Sequence, residues 1–484
     1  MRLPNASSIT LNFNPALHAA RQLGEAPAKR TYNLWYAGGV AFVASAGGFL
    51  FGYDLALIAG ALPYLKREFA LSPAMEGLLA SSGVLGAAIG PLLGLMFADL
   101  IGRRRTMMLS AIAFLATTVG CALAPTVAQL IFWRIVGGMG VGLAMISCPI
   151  YIAELSPAPW RGPLVNVIQL VNVIGINLAV LISYWVGDYA HGWRIVFASQ
   201  GVPVAVLILG LLMVPESPRW LAAMGHTRRA LDVLTRINGK EHAQQELDDI
   251  MVVVKSSASG LTEVFQPYCR KPLLLAIILM VFSQVNGVNM LLLYAPTILN
   301  DAGISFGSHA VLAAVPTYLM ILLATFISFP VIYRYTRRGL LIVSTLGMGA
   351  SHLLMASLLA LHAPAISLLA PMLCGAFAFT LGLAPLSWII VSEIFPNRVR
   401  SHALAIVCVF LFGSSFVTAQ IFPIAKNWLV QTTGSSAGMY LVFATVCFSC
   451  VVFVWRMLPE TKGVSLDTLT AFWRTRQASG TAGA

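Results

Sequence analysis

Long apolar stretches alternate with short polar segments along almost the whole chain. About 20 apolar residues are enough to cross a bilayer as a helix, and twelve stretches reach that length. Six of them lie near residues 35–61, 77–98, 106–124, 127–151, 163–187 and 194–214. The other six lie near residues 273–299, 309–333, 339–361, 364–391, 402–425 and 436–457. This pattern predicts an all-α membrane protein with twelve transmembrane helices.

The two groups of six stretches carry the same polar landmarks, which indicates an internal repeat. The spacing E-x-x-P-x-x-x-R begins at Glu154 and again at Glu393, an offset of 393 − 154 = 239 in a chain of 484 residues. The basic segment 102–105 has a counterpart at 337–339, and Pro-Glu-Ser at 215–217 has one in Pro-Glu-Thr at 459–461. We therefore predict two pseudo-symmetric six-helix bundles.

The repeat divides the chain into five predicted regions. The bundles cover residues 35–214 and 273–457, and the charged segment 215–272 between them has helical periodicity in RRALDVLTRI, which predicts a linker with short helices. Residues 1–34 and 458–484 form tails. The first tail lacks the apolar core of a signal peptide, so we expect no cleavage.

Composition and charge agree with a membrane protein. Hydrophobic residues make up 58% and charged residues 10%, against roughly 25% charged residues in soluble domains, and the mean hydropathy is +0.82. About 25 of the 30 basic residues fall on alternate loops and the tails, which predicts that both termini and the linker are cytoplasmic. The net charge of +12 shows no continuous basic patch, so no nucleic-acid partner is expected. The seven cysteines lack paired spacing and are expected to be core residues.

Two ionisable residues, Asp54 and Arg134, lie well inside apolar stretches of the first half. A charge at membrane depth costs roughly 2.5 to 3.5 kcal/mol on insertion scales, so such residues usually face a pathway and find a partner. We predict that the two are within reach and that the carboxylate takes up a proton from one side and releases it to the other. A static pair that only fixes helix packing is the alternative.

Charged residues also cluster at the predicted cytoplasmic helix ends. Opposite charges at repeat-related positions can tie the halves together when that face is closed; as ordinary loop charges they would serve only topology. The predicted cytoplasmic gate consists of Asp99, Arg103, Arg104, Glu154, Arg161, Glu216, Arg219, Glu393, Arg400 and Glu460.

A substrate site needs polar groups on apolar helices, and few are available. The candidates are Asn166, Gln169, Asn172, Asn177, Ser283, Gln284, Asn286, Asn289, Tyr294 and Trp388. Amides both donate and accept hydrogen bonds, which suits hydroxyl groups, and an indole suits the apolar face of a sugar ring. The second half adds no acidic or basic residue inside the membrane, so an uncharged polyhydroxylated substrate fits best. For each amide taken singly, the alternative to substrate binding is a hydrogen bond between helices.

Breaks in the membrane helices are expected where glycine and proline occur within them. Such places are Pro296, Pro385 beside Gly382, and the glycine-rich segment 137–142. Close helix packing accounts for the glycine-rich segment. The proline at 385 predicts either a gating kink or a static bend.

These residues together resemble the sugar porters of the major facilitator superfamily, over about residues 40 to 468. The resemblance is carried by FGYDLALIAGALP, DLIGRRR, PIYIAELSPAPWRG, VPESPRWL, SQVNGVN, SEIFPNRVR and LPETKG. It implies two six-helix bundles, alternating access and a central sugar site. Asp54 matches the proton-coupling aspartate of bacterial symporters and Arg134 its arginine partner. The positions that match sugar-contacting residues are Phe51, Gln169, Gln284, Asn289 and Trp388.

The chain departs from that family mainly in its second half. Ser283 stands where the first of two glutamines is usual, and Leu293 replaces the first of two tyrosines. Ile321 and Leu411 stand where amides are usual. The second basic motif has Tyr333 and Thr336 in place of an acidic residue and a glycine, and Leu100 follows Asp99 where a basic residue is common. The missing amides favour an altered substrate choice.

The sequence therefore predicts a proton-coupled symporter of a monosaccharide, a pentose or a hexose, that works as a monomer in a bacterial inner membrane with protons and lipid as its other partners. A facilitative uniporter or a porter of another neutral polyol such as an inositol is the alternative, and a sugar sensor is a remote one. No nucleotide loop, metal cluster or nucleophile elbow is evident, so neither an enzyme nor a cofactor is expected.

Overall fold

Helices account for the architecture. The computed structural model describes residues 33–157, 159–186, 189, 191–256, 261–301, 310–396 and 399–462. In this part of the chain twelve helices are long and apolar enough to cross a membrane, and no strand occurs. Each corresponds to one predicted stretch, so the all-α twelve-helix prediction is confirmed. The predicted tails lie outside the described residues, except for residues 33–34 and 458–462.

The first half of the chain forms six spans. They are α1 (Leu34–Glu68), α2 (Pro73–Leu100), α3 (Arg103–Leu123), α4 (Val127–Leu155), α5 (Arg161–Val186), and the pair α6 (Gly192–Ser199) and α7 (Gly201–Met213). Side-chain caps help to start two of them: the Ser72 hydroxyl accepts a hydrogen bond from the amide of Met75, and Thr126 accepts one from the amide of Gln129. Such caps satisfy amides that have no partner within the helix.

Three helices follow in the linker. They are α8 (Pro218–Ala223), α9 (Thr227–Asn238) and α10 (Lys240–Ser256), and a short 3₁₀ turn, Leu261–Phe265, comes after them. The amide of Asn33 donates to the carbonyl of Ile237 at 3.0 Å. The linker helices are therefore attached to the start of α1.

The second half repeats the six spans with more interruptions. Its helices are α11 (Pro267–Val285), α12 (Val288–Leu293), α13 (Ala295–Asp301), α14 (Ala310–Arg334), α15 (Arg337–Ala360), α16 (Leu369–Ala378), α17 (Ala384–Ile394), α18 (Arg400–Thr433) and α19 (Ala437–Met457). A 3₁₀ turn, Ala365–Leu368, precedes α16, and a π-helical turn, Phe379–Leu383, joins α16 to α17.

The break between α11 and α12 is stabilised from within the chain. Gly287 has φ = 89°, a backbone conformation that favours glycine. The Asn286 side chain donates to the carbonyls of Phe282 (3.1 Å) and Ser283 (2.6 Å) and accepts from the amide of Val288 at 2.9 Å. The polar backbone groups freed by the break are thus satisfied, as non-helical backbone at membrane depth requires.

The helix ends lie on two faces, because consecutive spans run in opposite directions. We call the face that carries α8–α10 and the segments around Arg103 and Glu393 the linker face. We call the face that carries residues 66–76 and 191–194 the opposite face.

Helices α2 and α4 pack unusually closely beside Arg134. A Cβ atom on Gly138 would lie 1.9 Å from the carbonyl oxygen of Gly83, a distance that real Cβ contacts do not reach. Only glycine at position 138 allows this approach, which agrees with the packing role expected for segment 137–142. The contact places Arg134, one turn earlier on α4, directly against α2.

Candidate functional site

Asp54 on α1 and Arg134 on α4 are in contact. Nη1 of Arg134 lies 2.8 Å from Oδ1 of Asp54 and 3.4 Å from its carbonyl oxygen. The Asp54 side chain is 7% exposed and that of Arg134 is 2% exposed. Removing one partner of such a pair would leave an uncompensated buried charge, so each residue requires the other.

The guanidinium of Arg134 is positioned mainly by packing. A Cβ atom on Gly83 would lie 2.8 Å from Nη2 of Arg134, and Nε of Arg134 has no hydrogen-bond partner among the described residues. A buried arginine usually has most of its donors satisfied. This one is held by the carboxylate and the carbonyl oxygen of Asp54 and by the close approach of α2.

A cavity of about 190 Å³ lies between the two halves of the molecule. It is smaller than the roughly 300–1,000 Å³ of drug-sized sites, which suits a small ligand. Five of the six side chains predicted to bind substrate line it: Phe51, Gln169, Gln284, Asn289 and Trp388. Asp54 does not line it, although its neighbour Leu55 does.

The amides of the cavity come from α5 and from the α11–α12 break. Nδ2 of Asn289 donates to Oε1 of Gln284 at 2.7 Å, so these two side chains form one polar unit. Nδ2 of Asn172, which also lines the cavity, donates to the carbonyl of Gly48 at 3.1 Å. Gln169 makes no hydrogen bond within the described part of the chain and is available to a ligand.

Tyr294 does not line this cavity, contrary to its prediction as a substrate-binding residue. Its side chain is 1% exposed, and its hydroxyl donates to the carbonyl of Ala419 at 2.9 Å. The ring stacks on Phe422 with the centroids 5.0 Å apart. The tyrosine therefore joins the end of α12 to α18, because its hydroxyl has a backbone partner and its ring has an aromatic one.

Sequence reasoning missed Tyr318 and two residues with smaller hydroxyl side chains, Thr380 and Ser415. Such small hydroxyl side chains are common in membrane helices and usually bond to their own backbone, so neither of these two stood out. The signal that points to Thr380 is the glycine and proline pattern nearby, since the residue lies in the π-helical turn Phe379–Leu383. Such turns often occur at functional sites.

Charged side chains of the first half meet at the linker face. Arg103 forms ion pairs with Glu154 (Nε to Oε2, 3.2 Å) and with Asp99 (Nη2 to Oδ1, 3.2 Å). Its Nη1 donates to the carbonyl of Ala98 at 2.8 Å. Oε1 of Glu216 accepts from the amide of Arg104 at 3.0 Å. Four helix ends are thereby held together.

The second half repeats this arrangement almost atom for atom. Nη2 of Arg337 lies 3.5 Å from Oε1 of Glu393, and Nη1 donates to the carbonyl of Ile332 at 2.6 Å. Glu460 accepts from the amides of Arg337 and Arg338, each at 3.0 Å. The internal repeat of the sequence is therefore a repeat of contacts as well.

The gate residues pair within each half and do not join the halves in this structure. Arg161 and Arg400 form no ion pair within the described part of the chain, and Nε of each is buried without a hydrogen-bond partner there. Arg219 is exposed. The ties across the linker face that the charge pattern suggested are thus absent among these residues.

Contacts between the halves are found towards the opposite face instead. Nε2 of Gln420 on α18 donates to the carbonyl of Ala74 at 3.0 Å, and the Ser81 hydroxyl lies 3.4 Å from Oε1 of Gln420. A Cβ atom on Gly77 would lie 2.5 Å from the carbonyl oxygen of Gln420. Asn177 donates to the carbonyl of Tyr318 at 3.2 Å. The molecule is therefore closed at the opposite face.

The cavity lining can offer a ligand hydrogen bonds and aromatic contacts. The cavity lining has amide, hydroxyl and indole groups and no acidic or basic side chain among the described residues. These residues also contain no group of three or more His, Cys, Asp or Glu side chains that could hold a metal ion. A neutral ligand with hydroxyl groups matches this lining.

Known proteins are similar to this chain over most of its length. The family model described as "Sugar (and other) transporter" matches residues 40–473. An arabinose-proton symporter of Bacillus subtilis is 33% identical over 92% of this chain and 97% of its own. The major myo-inositol transporter IolT of the same organism is 33% identical over 91% of this chain and 95% of its own.

A solved structure is similar over nearly the same length. The inward open conformation of the xylose transporter XylE from E. coli superposes with a TM-score of 0.78 at 29% identity, covering 90% of this chain and 100% of that one. Together with the family match and the curated relatives, this likeness shows that the chain belongs to the sugar porter family of the major facilitator superfamily.

Proposed function

We propose that the protein is a secondary active transporter that carries a neutral monosaccharide together with a proton by alternating access. The observation that carries this proposal is the buried Asp54–Arg134 ion pair beside a cavity without acidic or basic side chains. The cavity supplies hydrogen bonds and an indole for a sugar, and the ion pair supplies a carboxylate for a proton. The names of the relatives, among them an arabinose-proton symporter, support the same function.

Proton binding and the ion pair exclude each other. A proton on the Asp54 carboxylate neutralises it and removes most of its attraction for Arg134, which leaves the guanidinium free to move. Loss of the proton restores the pair at 2.8 Å. The two protonation states therefore favour two arrangements of α1 and α4, which is the requirement for coupling.

Helix α1 connects the proton site to the sugar site. Asp54 lies between two lining residues, Phe51 and Leu55, so a shift of α1 moves the cavity wall. A Cβ atom on Gly52 would lie 2.0 Å from the carbonyl oxygen of Asn172 on α5. A movement of α1 is thus passed to the helix that carries Gln169.

The linker face is the cytoplasmic face in this proposal, because the basic residues concentrate there. The structure would then be the inward-facing state, with the outer side closed by the contacts of Gln420. Arg161 and Arg400 begin α5 and α18 with buried, unpartnered Nε atoms. They are the groups that we expect to find partners across the two halves when the linker face closes.

The transport unit is a single chain in a lipid bilayer. The cavity and the ion pair are both complete within one chain. Large apolar side chains on the outer surface, such as Trp185 (65% exposed), Leu212 (60%) and Val343 (63%), suit contact with lipid. A bacterial inner membrane is the location that fits the relatives.

The second candidate is a porter of another neutral polyol such as an inositol, or a uniporter. The relative named as a myo-inositol transporter favours the first of these. A uniporter would retain Asp54 and Arg134 only as a structural pair.

Uptake by the purified protein in liposomes tests the function. We expect accumulation of at least one labelled pentose, hexose or inositol above its external concentration when the proton gradient points inward, and only equilibration when the gradient is absent. Identical uptake in both conditions would leave a uniporter. The identity of the accumulated compound decides between a monosaccharide and an inositol.

A further inference from the structure

Three residues of the cavity lining offer no side-chain hydrogen bonds. They are Leu293 at the end of α12, Ile321 on α14 and Leu411 on α18, with 4%, 6% and 4% of their surface exposed. The other α14 residue of the lining, Tyr318, has already donated its hydroxyl to the carbonyl of Leu292 at 2.7 Å. Helix α18 adds one hydroxyl, that of Ser415.

The hydrogen-bonding capacity lies elsewhere in the cavity. Gln169 on α5 has no hydrogen-bond partner in the described part of the chain. The unit formed by Gln284 and Asn289 uses one donor and one acceptor internally. Because each side-chain amide has two donor hydrogens and a carbonyl oxygen with two lone pairs, this unit retains unused donors and acceptors. We call Gln169, Gln284 and Asn289 the amide side of the lining, and Leu293, Ile321 and Leu411 its apolar side.

A lining with these two sides favours a ligand that has hydroxyl groups at one part and an apolar group at another. A sugar hydroxyl placed against the apolar side would lose its hydrogen bonds to water and gain none, which is unfavourable. A methyl or methylene group at the same place would bury apolar surface, which is favourable. A fully hydroxylated sugar must therefore leave at least one hydroxyl poorly satisfied.

We propose that the preferred substrate is a deoxy sugar, a monosaccharide in which a methyl or methylene group replaces a hydroxyl-bearing position. Its hydroxyls face Gln169, Gln284 and Asn289, and its deoxy position faces Ile321, Leu411 and Leu293. This inference rests on the proposed transport function and specifies the class of substrate.

The wild-type protein in liposomes provides the first test. Uptake is compared, at equal low concentrations, within the pairs L-rhamnose and L-mannose, L-fucose and L-galactose, and 6-deoxy-D-glucose and D-glucose. We expect the deoxy member of at least one pair to be taken up roughly ten- to a hundredfold faster, the range in which an apolar pocket discriminates against an added hydroxyl.

Variants of the apolar side provide the second test. Ile321→Asn and Leu411→Gln add amides to it and should reduce the deoxy preference roughly threefold to tenfold. Ile321→Leu and Leu411→Met keep it apolar and should preserve the preference. Detergent-purified variants are first checked for monodispersity, so that a folding defect is not mistaken for a change of specificity.

The outcomes separate this inference from the function beneath it. If the fully hydroxylated member is taken up as fast as the deoxy member, or faster, in every pair, the protein is a sugar transporter and the deoxy inference is wrong. If none of these sugars or the pentoses enters the liposomes, the transport proposal itself is wrong. An unchanged preference in both amide variants would contradict the role given to the apolar side.

Discussion

At the scale of single residues, the charge pair explains how two charged groups are tolerated among apolar helices. Asp54 and Arg134 are both almost fully buried and lie 2.8 Å apart. Breaking a buried pair on one side costs roughly 3–5 kcal/mol. This contact therefore contributes enough energy to favour one arrangement of α1 and α4 over another.

Replacement of Asp54 by asparagine keeps the shape of the side chain but removes its ability to exchange a proton. We expect Asp54→Asn to abolish uphill accumulation of sugar, while exchange of labelled for unlabelled sugar across the membrane continues. Both are measured in liposomes. Asp249→Asn, the same change at an exposed position on α10, serves as control and should retain accumulation. Unchanged accumulation in Asp54→Asn would refute its coupling role.

The sequence predicted a functional residue most clearly where its residue type is rare in its surroundings. Asp54 and Arg134 stood out because charges inside apolar stretches are rare, and the structure places them in contact. Tyr294 was misplaced, because a tyrosine can direct its hydroxyl to a ligand or to a backbone carbonyl, and here Ala419 supplies the carbonyl. The sequence contains no information that would distinguish these two partners.

At the scale of helices, the break between α11 and α12 positions the amide side of the cavity. Gln284 lies before the break and Asn289 after it, and the turn at Gly287 brings their side chains to 2.7 Å. Asn286 holds the break by bonding to backbone groups on both sides. The ligand-facing amides are therefore only as rigid as this break.

Removal of the Asn286 side chain should loosen the break. Asn286→Ala leaves the carbonyls of Phe282 and Ser283 and the amide of Val288 without these partners. Unsatisfied buried groups cost roughly 1–3 kcal/mol. We expect a lower thermal unfolding midpoint in detergent and weaker sugar binding.

The matched control is Ser357→Ala, which removes an exposed hydroxyl that bonds to the carbonyl of Leu353 at 2.9 Å. It should leave the unfolding midpoint unchanged. Equal midpoints for Asn286→Ala and the control would show that the break does not need the asparagine.

Helix existence was predictable and helix interruption only partly so. Hydropathy and length locate all twelve spans because each must cover the bilayer core. Gly382 and Pro385 mark the π-helical turn Phe379–Leu383. The break at Asn286 and Gly287 was seen only as a cluster of polar residues, because sequence periodicity does not report which backbone groups the Asn286 side chain bonds to.

At the scale of the whole molecule, the two halves have equivalent charge clusters at the linker face and are joined to each other towards the opposite face. Each half carries the same linker-face cluster, centred on Arg103 and on Arg337. The hydrogen bonds that join the halves in the described part of the chain lie towards the opposite face. One face is therefore closed while each linker-face cluster remains within its own half.

Loss of Gln420 should shift this balance towards opening of the opposite face. Gln420→Ala removes the hydrogen bonds to Ala74 and Ser81, each worth roughly 0.5–1.5 kcal/mol. We expect the population open at the opposite face to increase roughly five- to a hundredfold.

Spin labels at Met75→Cys and Gln431→Cys, two exposed positions near that face, report this opening by double electron–electron resonance. Cys374→Ser provides the background, since the other six cysteines are buried. Thr445→Ala, an exposed change on α19, is the control. Identical distance distributions for Gln420→Ala and Thr445→Ala would show that Gln420 does not help to close the opposite face.

The internal repeat could be predicted from the sequence, because equivalent motifs recur at an offset of 239 residues (393 − 154). It also predicted the two six-helix halves. The face that is closed could not be predicted. Two states that differ by a few kcal/mol are compatible with one sequence, and the charges at the linker face, including Arg161 and Arg400, would serve in either.

The central claim is that one protein movement carries both sugar and proton, and proton influx driven by sugar tests it most directly. Liposomes containing the protein and a trapped pH-sensitive dye are prepared with equal pH inside and outside, and a transported sugar is then added outside. The account predicts that the interior acidifies in the wild type and stays constant in Asp54→Asn. Entry of the sugar into wild-type liposomes without acidification would contradict it.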